Sequence, residues 1–214
     1  APDARGKSRR VVIQLMPPPF SQGWIGNIRT LIAARWFDGL SVNRVQDNYV
    51  VQWGDGDGED AAKARKLPSG LTGLQSKSYW VDQTDIQLAA FGEERTSSSE
   101  AALRDSLDLA AKAPPATLDR NPDIVHTRTA KAREGWHQRD SYGDWVEFHA
   151  GWPLASNGLK GSKAQFWPIH CYGMVGVGRN MPPDTGSGAE LYVVIGHAPR
   201  HLDRNIALVG RVIE

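Results

Sequence analysis

Several groups of residues in this chain are of types that could do chemistry, and their spacing separates them. His197 and His201 lie four residues apart and precede Asp203. Those types can ligate zinc, but Pro199 between the histidines keeps them off a shared helical face, and no glutamate follows the first histidine. The run GDGDGED from Gly54 has the look of a calcium loop. Counted from Asp55, its sixth residue is Asp60 where glycine is needed, and its twelfth is Lys66 where glutamate is needed, so it reads as an acidic turn. His170 beside Cys171 pairs a base with a thiol. Neighbours on a strand point to opposite faces, and a lone cysteine reads as a small buried apolar residue. The remaining group is Arg44, Tyr49 and Gln52, close together on two short alternating runs. Taken singly, each is an ordinary strand residue.

The elements that must position these residues fall into three regions. In the first, Val11 to Leu15 is a β-branched run that reads as a strand, ended by Pro17-Pro18-Pro19. Ser21 to Arg35 reads as a helix with Ser21 as N-cap and one apolar stripe of Trp24, Ile25, Ile28, Leu31 and Ile32. Leu40 to Trp53 reads as two strands turning at Asp47-Asn48. The second region, about Gly56 to Phe166, is rich in glycine, serine and charge and shows little period-two pattern. It holds one capped helix pattern, Ser97 to Ala113, stopped by Pro114-Pro115, and Trp80, Trp136, Trp145 and Trp152. So many aromatics predict an ordered excursion that packs back on the main body. In the third region, Tyr172 to Val177, Glu190 to Ile195 and Ile206 to Ile213 read as strands.

Composition bounds the rest. The chain has 214 residues, long enough to bury a core without disulfides. With 25 basic against 24 acidic residues, nothing calls for nucleic acid or an anionic membrane as partner. The single cysteine excludes an internal disulfide and a cysteine-rich zinc site. No apolar run approaches the ~20 residues of a membrane span. The opening Ala1-Pro2-Asp3 reads either as a mature end left by a signal peptidase or as an arbitrary boundary of the sequence, and a periplasmic or secreted location is slightly favoured over a cytoplasmic one.

The stretch FDGLSVNRVQDNYVVQWGD, Phe37 to Asp55, resembles the signature of the cyclophilins: tyrosine-aspartate-glycine, phenylalanine-histidine-arginine, a phenylalanine, then glutamine-glycine-glycine-aspartate. Further on, GMVGVGRN from Gly173, TGSGAELYVVIG from Thr185 and HLDRNIALVGRVIE from His201 resemble later blocks of the same family in the right order. The resemblance implies a mainly β fold, a closed antiparallel eight-stranded barrel capped by helices. It also implies a single domain over residues 1–214 with an insertion at about 56–166, expected to lie against the barrel and border the peptide groove near Arg44. The family's pattern continues past Glu214 with a short helix and a last strand.

The activity implied is rotation about X–Pro peptide bonds, in aid of protein folding. Amide resonance sets a barrier of ~18–20 kcal/mol to that rotation. No nucleophile, metal or cofactor is needed, only a site that favours the twisted state, where the imide nitrogen regains its lone pair. By the resemblance, Arg44 is the catalytic arginine that hydrogen-bonds this nitrogen, and Gln52 binds a substrate carbonyl or orients Arg44. Tyr49, Val50 and Tyr192 are implied to line the proline cup. His201 falls where a pocket tryptophan often sits, and the backbone at Gly178 and Arg179 lies in or beside the segment that pairs with the peptide. The implied partners are proline-containing polypeptides. Departures from the pattern are Asn43 for histidine, Trp53 for glycine, Gly176 for asparagine, His201 for tryptophan and Ile206 for histidine. Asn43, His201 and Ile206 feed an alternative expectation, a cyclophilin-like peptide-binding module with weak catalysis.

Overall fold

The computed structural model describes residues 6, 10–58, 60–82, 85, 140–149, 151–157 and 164–214. The expected helix Ser97 to Ala113, Trp136 and Pro114-Pro115 lie outside the described residues. Ten strands are present among the described residues: β1 (Ile13–Leu15), β2 (Ser41–Gln46), β3 (Val50–Gly54), β4 (Val81–Asp82), β5 (Trp145–His149), β6 (Trp152–Ser156), β7 (Gln165–Pro168), β8 (Met174–Val177), β9 (Leu191–Val194) and β10 (Leu208–Val212). One α-helix, α1 (Gln22–Ala33), lies between β1 and β2.

The strands pair antiparallel into two sheets, one in the order β1-β10-β8-β9-β3-β2 and one in the order β4-β7-β6-β5. Among the described residues the expected closed eight-stranded barrel is therefore not seen, and one α-helix is described there where several caps were expected. The sheets meet through side chains instead. A single buried cluster joins Trp152, Leu154 and Phe166 of the smaller sheet to Val175, Leu191 and Leu208 of the larger and to Trp24 and Ile28 of α1. The smaller sheet was not legible because β6 is buried at every residue, leaving no alternation to read.

Helix α1 departs from the expected stripe at two places. Ile32 is exposed, while Asn27 is buried. The Asn27 amide explains this: Nδ2 donates to the Thr72 carbonyl at 3.0 Å and Oδ1 accepts the Thr72 N–H at 2.8 Å. Ser21 makes no side-chain cap, and its backbone sits in the left-handed region at φ 55°. Gln22 instead ties the preceding turn, donating to the carbonyls of Met16 and Phe20. Tyr79 stacks on Trp24 with ring centroids 5.3 Å apart. Residues 72–79 thus dock on α1, Trp80 is half-buried and Trp152 is buried.

Candidate active site

The β2–β3 hairpin places the first group of site residues. Asn48 turns the chain with φ 54°, a conformation that asparagine tolerates. Its Oδ1 accepts the His197 N–H at 3.2 Å. The neighbouring backbone is so close that a Cβ on Gly196 would fall 2.0 Å from the Asn48 carbonyl carbon, so only glycine fits there. Pairing runs Gln46 to Val50, Val45 to Val51 and Arg44 to Gln52, then shifts in register before Val42 pairs with Trp53. The irregularity falls at Asn43, a bulge of the kind that re-aims side chains.

Arg44 heads a row that crosses four strands. It pairs with Gln52, Gln52 with Tyr192 and Tyr192 with Gly176. Directly paired residues share a face of the sheet. The alternate residues of β8 and β9, among them Val175, Val177 and Leu191, enter the main core. The row therefore lies on the opposite face, and there it borders a groove of about 390 Å³. Arg44, Tyr49, Val50 and Gln52 line it from the hairpin, and Gly178, Arg179 and Tyr192 from the segments facing it. Val50, Tyr192, Val194 and Leu202 form an apolar cup, with Tyr49 and Ile206 packed against it. His201 does not line the groove. Its ring stacks behind Tyr49, centroids 6.0 Å apart, with Nε2 3.4 Å from the Tyr49 hydroxyl.

The polar groups along the groove have partners. Arg44, on the exposed edge strand, donates through Nη2 to Gln46 Oε1 at 2.7 Å. Gln52 Nε2 donates to Glu190 Oε2 at 2.6 Å, so Gln52 is oriented by Glu190 rather than bonded to Arg44. The Gly178 N–H donates to the Glu190 carbonyl at 2.9 Å, just beyond the ends of β8 and β9. The Arg179 guanidinium is held by Asn205 and by the Asn180 carbonyl. Arg44 and Arg179 share the groove lining with Asp55 and Glu190, so its formal charges balance. Sequence reasoning missed Glu190, which stands immediately before the Leu191-Tyr192 pair.

A family model described as cyclophilin type peptidyl-prolyl cis-trans isomerase/CLD matches residues 23–214. The chain belongs to this family. Its fold is similar to the crystal structure of the cyclophilin AquaCyp293 from Hirschia baltica, with a TM-score of 0.56 and 16% sequence identity over 95% of this chain. The match spans 60% of that cyclophilin's length. No curated protein matches the chain.

Beneath the cup of this cyclophilin-family chain lies a buried polar group that sequence reasoning also missed. His170 Nε2 is 2.7 Å from the Tyr192 hydroxyl, and His170 Nδ1 is 2.8 Å from Asp203 Oδ1. Asp203 Oδ1 also accepts the His170 backbone N–H at 3.1 Å, and its Oδ2 accepts from Arg200 Nε at 2.5 Å. Arg200 in turn is ion-paired with Asp140. The sequence had set His170 beside Cys171 and Asp203 beside His197 and His201. Folding joins His170 to Asp203, 33 residues away. Cys171 precedes β8 in a turn, and burial pushes its thiol up, away from the thiolate.

Proposed function

We propose that this chain accelerates rotation about X–Pro bonds in polypeptides. The observation that carries the reading is the cross-strand row that sets the Arg44 guanidinium and the Gln52 amide at the border of a groove that also holds an apolar cup. The cup of Tyr49, Val50 and Tyr192, backed by His201, holds the proline ring. Arg44 exchanges its Gln46 partner for the imide nitrogen as the bond twists and the lone pair localises there. That bond is stronger in the transition state than in the ground state, which is the condition for acceleration. Gln52, oriented by Glu190, binds a carbonyl of the peptide, whose chain runs past the backbone at Gly178 and Arg179. No step needs a metal or cofactor.

The single domain of residues 1–214, with an insertion at about 56–166, belongs to this proposal. So does the closed eight-stranded barrel. A second reading, a peptide-binding module with weak turnover, draws on one observation: Arg44 is exposed on an edge strand and already bonded to Gln46.

An exchange assay by nuclear magnetic resonance on a proline-containing tetrapeptide decides between them. Isomerase function predicts faster cis–trans exchange with the parent protein and loss of that acceleration in Arg44→Ala. Saturable binding without faster exchange supports the module. Neither binding nor exchange overturns both.

A further inference from the structure

We infer that His170 and Asp203 are positioning residues for the proline cup: together they form a buried relay that fixes the Tyr192 ring as its floor. The inference rests on the cup being the proline site proposed above. The relay is continuous. The Asp203 carboxylate, paired with the Arg200 guanidinium, accepts from His170 at Nδ1, leaving Nε2 as the acceptor of the Tyr192 O–H. The side chains of His170 and Asp203 and the whole of Tyr192 are buried. Each bond therefore acts away from competing water, where an unmade one is costly.

An aspartate–histidine–hydroxyl series can also activate a nucleophile, but this one does not. Burial holds the Tyr192 phenol well above its usual range and the His170 imidazole below its own, so the proton stays on the phenol. What the relay supplies is geometry. Gly176, opposite Tyr192 on the ladder, leaves room for the ring to lie across β8 and reach His170. Asp203 directly follows the short 3-10 turn Arg200–Leu202, which carries Leu202 into the cup and His201 onto Tyr49. One set of hydrogen bonds thus joins the floor of the cup to its wall. A proline ring held still while the rest of the peptide turns requires such a rigid seat.

The two halves of the relay can be separated. Tyr192→Phe removes only the hydroxyl. His170→Asn keeps a donor near the Nδ1 position for Asp203 but offers nothing to Tyr192, whereas His170→Gln returns an acceptor near the Nε2 position. In the exchange assay, Tyr192→Phe and His170→Asn should each lower kcat/KM about tenfold, the worth of one buried hydrogen bond. The double variant should lose no more than either single one, and His170→Gln should recover most of the loss. A purely structural role makes activity follow thermal stability instead of the position of the acceptor. Tyr192→Phe within twofold of the parent, or losses that multiply in the double variant, would overturn the inference. If the parent binds the peptide without speeding exchange, the isomerase reading falls and peptide Kd becomes the readout. A tenfold weaker Kd in Tyr192→Phe then supports the relay, and an unchanged one overturns it.

Discussion

Gly176 lies directly opposite Tyr192 on the β8–β9 ladder, and a Cβ built on it would fall 2.2 Å from the tyrosine Cζ and 2.3 Å from its hydroxyl. The displaced atoms are the tip of a side chain, which could ordinarily swing aside. Here the tip is buried and bonded to His170, so moving it breaks that bond. Gly176→Ala should therefore cost about 1–3 kcal/mol, the usual range for overpacking. At roughly 2–4 °C per kcal/mol for a domain of this size, the melting temperature should drop by several degrees. Activity should fall with it. A variant that melts with the parent would show that the ring moves freely.

Arg44 tests the chemistry with little interference from stability. Its side chain is exposed on the edge strand, and its recorded partner is Gln46. Losing one preorganised donor to a developing charge costs ~10²–10³-fold in rate. Arg44→Ala should lose about that much exchange activity while its thermal unfolding stays within a degree or two of the parent. Arg44→Lys should recover little, because an ammonium does not reproduce the guanidinium fork. Full activity in either variant would remove Arg44 from the mechanism.

Asn27 governs how residues 72–79 dock on α1. Asn27→Ala leaves the Thr72 N–H and carbonyl without the paired amide bonds that they now make. The expected loss is ~1–3 kcal/mol, again several degrees in melting temperature. Asn27→Asp should not restore it, since a carboxylate cannot donate to the Thr72 carbonyl. Limited proteolysis should show new cuts between residues 60 and 75 in both variants. Unchanged melting and cutting would mean that the segment is held elsewhere.

His170 sets a pH dependence of stability. Burial lowers its affinity for a proton from the ordinary 6.5, against the opposing pull of Asp203, while His201 and Arg200 add to the lowering. Tyr192, neutral, faces the other ring nitrogen. Below 6.5 the unfolded chain takes up a proton at this site that the folded chain does not. Stability is therefore full above 6.5 and falls as pH drops towards the lower folded value, by at most ~1.4 kcal/mol per pH unit from this one group. Urea unfolding at about pH 7.5 and 5.5 checks the sign. The parent should lose more stability on acidification than His170→Asn, which has no imidazole to titrate there. Equal losses would place the pH dependence in other groups.

Local patterns were legible where one face is wet or a turn residue is explicit. The hairpin of β2 and β3 follows from alternation on either side of Asp47-Asn48, and its pairing brings Arg44 opposite Gln52. The third-region strands appear within the expected stretches, though trimmed: Tyr172 is exposed, and Gly173, at φ 79°, precedes the start of β8. Asn27 broke the helical stripe for a reason that periodicity does not contain, namely a partner 45 residues away.

By itself the sequence determined the elements whose signals are short-range, together with the order of blocks that marks a cyclophilin. Period, turn chemistry and motif spacing all act over a few residues, and they survive in one dimension. Only the tertiary structure decided the pairing of the sheets, the Gln52–Glu190 bond and the joining of Asp203, His170 and Tyr192. Those depend on which buried polar groups meet once apolar surfaces have packed. A hydrogen bond between residues 22 or 33 positions apart is chosen by the need to satisfy every buried donor and acceptor in the folded state, and that need leaves no period in the chain.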